Sequence, residues 1–160
     1  MSTPKQHHYA VDIVWTGNLG TGTSAYRAYS RDHRIAAGAK PAIPASSDPA
    51  FRGDPSRYNP EDLLVASVSS CHMLWYLHLA AEARLVVTEY VDHAAGTMVE
   101  AADGSGRFIE IVLKPRVVLA AGGDAAAARA LHERAHHMCF VANSVNFPIR
   151  CEPDIEVTQP

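Results

Sequence analysis

Positive charge is not in surplus: 14 Lys and Arg stand against 17 Asp and Glu, the formal net charge is -3, and no segment gathers the basic residues. Without a basic stripe there is no electrostatic footprint for nucleic acid, which is not expected as a partner. Cysteine is scarce, with three in 160 residues, Cys71, Cys139 and Cys151. A small, odd number excludes a fully paired disulfide framework of the secreted kind. A C-x-x-C pair is missing, as are a Walker lysine after the glycine-rich stretch 17–23 and a nucleophile elbow. The N-terminal MSTPKQHHYA lacks the charged-then-apolar order of a signal peptide. The one long apolar run is interrupted by Ser67, Ser69, Ser70, His72 and His78. The expectation is a soluble cytoplasmic protein with no membrane partner, in which any disulfide is transient or catalytic.

What is present suits one core. A hydrophobic content of 48% over 160 residues predicts a single domain, 1–160. Residues 9–16 alternate with strand period, and the turn GNLGTGT (17–23) predicts a hairpin into a second strand over Ser24–Ser30. A short third strand is expected near His33–Ala36, then a long proline-studded loop over 36–58 whose Phe51, Arg52, Asp54 and Arg57 are in a position to reach a site. Asn59 as N-cap, Pro60 at the first helical position, and Glu61 and Asp62 beside the positive end of the dipole predict a helix from Asn59 to Ala83. Its apolar residues point in nearly every direction, so one sheet cannot cover it, and a homodimer is the simplest source of further apolar surface.

Strands over Val86–Asp92, Met98–Ala101 and Phe108–Leu119 read as an antiparallel meander. A second helix is expected from Asp124 to about Met138, with Cys139 at its end, and a last strand over Asp154–Thr158. Strands in two groups separated by helices make the class α+β.

Three chemistries compete for the reactive groups. His132, Glu133 and His136 match H-E-x-x-H, which on a helix puts two imidazoles on one face for zinc, but only Glu152 or Glu156 remains nearby as a third ligand. A chance match on a polar helix surface is the preferred reading, so no metal or other cofactor is expected. Cys71 with His72, His78 or His136 is a second candidate, a Cys–His hydrolase pair, but His72 cannot face the way Cys71 does, because neighbours on a helix point about 100° apart. A thiol redox pair of Cys71 and Cys139 remains, beside the alternative that both are small apolar filler.

The segment NPEDLLVASVSSC (59–71), followed by AHHMC (135–139), resembles the OsmC/Ohr family of peroxide-reducing proteins. In that family an N-P-E-x-L-L segment precedes the peroxidatic cysteine, which lies ten residues after the glutamate, and an A-H-x-x-C segment carries the partner cysteine. Glu61 to Cys71 and His136 to Cys139 meet both spacings. The stretches 29–33, 51–64, 71–79 and 139–148 look like a distinct OsmC-like branch. The resemblance implies an OsmC-like fold, with antiparallel sheets wrapped around two central helices in an intertwined homodimer. It implies a peroxidase in which Cys71 attacks an organic hydroperoxide, Cys139 closes a disulfide on it, and an external dithiol reduces that disulfide. A guanidinium beside the attacking thiolate, held by Glu61, belongs to the same scheme. Ten helical residues span about 15 Å, so Glu61 is expected to serve the Cys71 of the other chain.

This sequence departs from the family at two points. Phe140 follows Cys139 where the best-known branches have proline, and the loop 17–23 has no arginine. Arg31 is the expected replacement, ahead of Arg27 and Arg52. Phe51, Arg52 and Phe140 are the expected substrate-binding residues, and Cys151 has no role. A non-enzymatic protein that binds a small apolar ligand in the dimer crevice is the alternative, favoured by the missing loop arginine.

Overall fold

The computed structural model describes residues 4–159. The chain divides into two compact units, Met1–Leu63 and Leu64–Pro160.

In the first unit, β1 (Asp12–Trp15), β2 (His33–Ala36) and β3 (Ile43–Ala45) form an antiparallel sheet in that order. The expected strand over Ser24–Ser30 is absent, and these residues form turns inside one long β1–β2 loop. Arg31 is the physical reason. Its Nη1 donates to the Tyr29 carbonyl and its Nη2 to the Tyr26 carbonyl, both at 2.7 Å, so oxygens that a ladder would use are turned onto a side chain. The loop's neck is tight: the Trp15 indole donates to Ser30 O at 2.8 Å, and a Cβ on Gly17 would lie 1.9 Å from that same oxygen. Within the expected long loop, β3 and a 3-10 turn at Pro49–Phe51 are further corrections.

Helix α1 (Pro60–Glu82) follows the expected bounds. Asn59 Oδ1 accepts from Asp62 N at 2.8 Å, and Asp62 Oδ2 accepts from Asn59 N at 3.3 Å, a reciprocal cap. The helix ends where Arg84 takes a left-handed φ of 58°, with Leu85 N donating to Ala80 O and Arg84 N to Ala81 O.

The second unit corrects the expected meander. β4 (Val87–Asp92) pairs antiparallel with β7 (Pro115–Leu119), and β5 (Ala95–Glu100) with β6 (Gly106–Leu113). The expected single strand over Phe108–Leu119 is broken because Pro115 has no N–H to donate. At the break, Asp92 Oδ1 accepts from Lys114 N at 2.7 Å. After α2 (Ala125–Met138), β8 (Ile149–Cys151) runs parallel to β6 and β9 (Asp154–Val157) parallel to β7. A parallel return needs a crossover, and α2 supplies it. The sheets are thus β4-β7-β9 and β5-β6-β8. With two helices among mixed sheets, the class is α+β.

Two apolar clusters hold this unit. Tyr76, Leu79 and Ala80 of α1 pack with Val117 and Leu119 of β7 and Ala128, Leu131 and Ala135 of α2. Val68 of α1 packs with Ile111 and Leu113 of β6. The buried α1 positions Val68, His72, Tyr76 and Leu79 form one stripe at helical spacing. By length and composition α1 could cross a membrane, but this stripe is committed to the core. At about 1.5–3 kcal/mol per large apolar side chain, the stripe is a principal hold on the sheets.

Candidate active site

Cys71 lies near the middle of α1, half-buried, and its thiol is free. Asp124 caps α2 by accepting from Ala126 N and Ala127 N, both at 3.0 Å, and the helix ends at Cys139. Cys139 is fully buried and also free. Burial pushes its thiol up to about 11, with the neighbouring Cys71 thiol as the second cause. The fold therefore brings together two reduced thiols from two helices, one accessible and one enclosed.

A compact turn fixes Cys139. Asn143 N donates to its carbonyl at 3.0 Å, Ala142 N points at its Sγ at 3.4 Å, and Asn143 Nδ2 donates to His137 O at 2.9 Å. Phe140 follows Cys139, and these bonds hold the turn there. Phe140 is 68% exposed, yet its ring stands edge-on to Trp75 at 5.6 Å. Trp75 lies four residues after Cys71, on the same helix face. A groove of about 540 Å³ runs between α1 and α2, lined by Trp75, His78, Leu79, Glu133, His137 and Met138 among others.

The remaining expected residues sit in the first unit or in the first turn of α1. Arg31 is held between two rings, with its guanidinium carbon 4.5 Å from the centre of Tyr26 and 4.1 Å from that of Tyr29. Arg52 reaches the same Tyr26 at 6.0 Å and has a left-handed φ of 65°. Phe51 is partly exposed on the 3-10 turn, and Arg57 pairs with Asp32 and Asp54. Glu61 is half-buried and forms no ion pair among the described residues. On α1 it precedes Cys71 by nearly three helical turns.

The H-E-x-x-H reading does not describe one face of ligands: His132 is buried, whereas Glu133 and His136 are exposed. Instead His132 Nδ1 lies 3.0 Å from His72 Nε2, and Cys151 Sγ lies 3.7 Å from the former and 3.8 Å from the latter. Burial is the main cause that lowers His72 to about 4 and His132 to about 3, and it pushes Cys151 up to about 12. Sequence reasoning missed this cluster because its members come from α1, α2 and β8, which carries no recognisable strand pattern.

The family profile described as OsmC-like protein matches residues 53–154. No curated protein matches the sequence. Among solved structures, an OsmC-like protein of unknown function from Vibrio cholerae is 29% identical with a TM-score of 0.83, over 92% of this chain and 99% of that one. An organic hydroperoxide resistance protein from Elizabethkingia anophelis is similar at 17% identity and a TM-score of 0.67, over 96% and 100% of the two chains. One from Legionella pneumophila is similar at 13% and 0.69, over the same shares.

Proposed function

The chain belongs to the family of OsmC-like proteins, and from that premise we propose that it is a thiol-dependent peroxidase that reduces organic hydroperoxides. The observation that carries this reading is the pairing of a half-buried Cys71 thiol with an enclosed Cys139 thiol. Some fold relatives are named organic hydroperoxide resistance proteins, and the substrate class is taken from them. In the first step the Cys71 thiolate attacks one peroxide oxygen; the O–O bond breaks, Cys71 becomes a sulfenic acid, and the other oxygen leaves as an alcohol after taking a proton. Cys139 then displaces water from the sulfenic acid and forms the Cys71–Cys139 disulfide. An external dithiol reduces this bond and is itself oxidised.

Accessibility supports this order of roles: Cys71 is half-buried and within reach of peroxide, whereas Cys139 is covered and its thiol is pushed up by burial. Phe140, with Trp75, offers an apolar surface to the alkyl group of the substrate. Arg31 supplies the guanidinium for the leaving oxygen. Its support is rigidity, since two carbonyls and two tyrosine rings fix it, with no carboxylate partner among the described residues. Phe51 and Arg52 complete the substrate-binding set.

The working form is a homodimer in which Glu61 of one chain serves the Cys71 of the other. Two uncovered surfaces support it: Tyr9, Val11, Ile13 and Trp15 are exposed on β1 and just before it, and Leu74, Met138 and Phe140 are exposed on α1, at the end of α2 and just after it. The groove between α1 and α2 favours the second reading, a non-enzymatic protein that holds a small apolar ligand. Turnover separates the two. Purified protein consumes tert-butyl hydroperoxide with dithiothreitol as donor if it is the peroxidase, and Cys71→Ser stops it. Equal consumption by that variant rejects the peroxidase, and slow alkylation of Cys71 near neutral pH supports the binding protein.

A further inference from the structure

We propose that His72 Nε2, His132 Nδ1 and Cys151 Sγ form a binding site for one zinc ion, separate in its ligands from the Cys71–Cys139 pair. The three donor atoms lie within 4.8 Å of one another, with separations of 3.0, 3.7 and 3.8 Å. Zinc–nitrogen bonds of about 2.0–2.1 Å and a zinc–sulfur bond of about 2.3 Å place donors roughly 3.3–3.8 Å apart around one ion. Closing the site needs only a few tenths of an ångström at the histidine pair. Two imidazoles and a thiolate are borderline-to-soft donors, which suit zinc and not magnesium or calcium.

The surroundings fit a cation. His72 is 1% exposed and His132 4%, and both rings are kept neutral by burial, which is the form that ligates. Their rings are parallel within 5°, and Tyr76 stacks on His132 at 4.1 Å, which fixes the angle at which Nδ1 is presented. Binding releases the Cys151 thiol proton to solvent and forms a zinc–thiolate bond, leaving one net positive charge. Asp92 acts electrostatically on both His72 and Cys151 and supplies the balancing charge. Its own oxygens are fixed by Ser69 Oγ and Lys114 N. The buried hydroxyls of Tyr76 and Tyr90 lack a hydrogen-bond partner among the described residues, and the two rings pack against each other with Tyr76 stacked on His132.

The position has a consequence. His72 follows Cys71 on α1, and His132 lies two turns before Cys139 on α2. An ion shared by these histidines and by β8 ties together the two helices that carry the redox thiols.

The test is zinc titration of chelator-treated full-length protein against a chromophoric competitor, with cobalt substitution in parallel. One zinc per chain is expected, with a dissociation constant below about 1 µM. Cobalt should give thiolate-to-cobalt charge-transfer absorption, and zinc should protect Cys151 from alkylation in peptide maps. Cys151→Ser should weaken binding at least tenfold and remove that absorption, while Cys71→Ser and Cys139→Ser leave both unchanged. The protection of Cys151 in the unmutated protein stands even if Cys151→Ser fails to fold. No binding up to 100-fold that concentration, Cys151 alkylated equally fast with zinc, or loss of the signal in Cys71→Ser instead would each overturn the proposal.

Discussion

Cys71 on α1 and Cys151 at the end of β8 are both half-buried, but the groups around them differ. Around Cys71 the nearest reactive group is another thiol, one side is open, and an aromatic pair stands four residues along. Around the half-buried Cys151 the neighbours are two buried imidazoles, one of them stacked on Tyr76. A thiol beside a thiol can exchange electrons; a thiol beside two neutral imidazoles can hold a cation. Cys71 and His72 point about 100° apart around α1, so the helix presents one to Cys139 and the other to His132 and Cys151.

The sharpest break in the comparison is Cys71→Ser. It should lower hydroperoxide turnover by on the order of a thousandfold or more in a dithiol-coupled assay, because no second nucleophile stands in its place. Cys139→Ser should let Cys71 react once and then stall. Sulfenic acid trapping would detect that single oxidation, and steady-state turnover should fall about tenfold or more.

Acid should act on the other side of the helix. The folded chain holds His72 at about 4 and His132 at about 3, against an ordinary 6.5. Between those values and 6.5 the unfolded chain binds protons that the folded chain does not, so stability is full above about 6.5 and falls as pH drops. For metal-free protein the loss from pH 7.5 to 5 should be on the order of a few kcal/mol, read from urea midpoints. A flat profile would mean that the pair is accessible to water. The smallest effect is expected for Cys151→Ser, which should leave peroxide turnover within about twofold of the unmodified protein and mark the two thiol environments as functionally separate.

The two regions also differ in how far the sequence discloses them. Both helices are legible because Asn59-Pro60 and Asp124 are local start signals, and Cys71 and Cys139 stand in motifs of fixed spacing. Strands were harder. The glycine-rich turn 17–23 suggests a hairpin partner over Ser24–Ser30, but Arg31 captures two of that segment's carbonyls, an event that no pattern of apolar residues encodes. Pro115 divides what reads as one strand, and β8 is too short to stand out. His132 drew notice for its i,i+4 partner, yet its spatial partners are 60 residues upstream and 19 downstream. Side chains brought together by tertiary packing leave no periodic trace, so this cluster emerges only with the fold.

The central claim is that Cys71 and Cys139 form the redox couple, and peptide mass mapping after one equivalent of tert-butyl hydroperoxide tests it most directly. The account predicts one disulfide joining the Cys71 and Cys139 peptides, two thiols lost per chain, and Cys151 recovered as a free thiol. A disulfide that includes Cys151, or three thiols surviving peroxide, would contradict it.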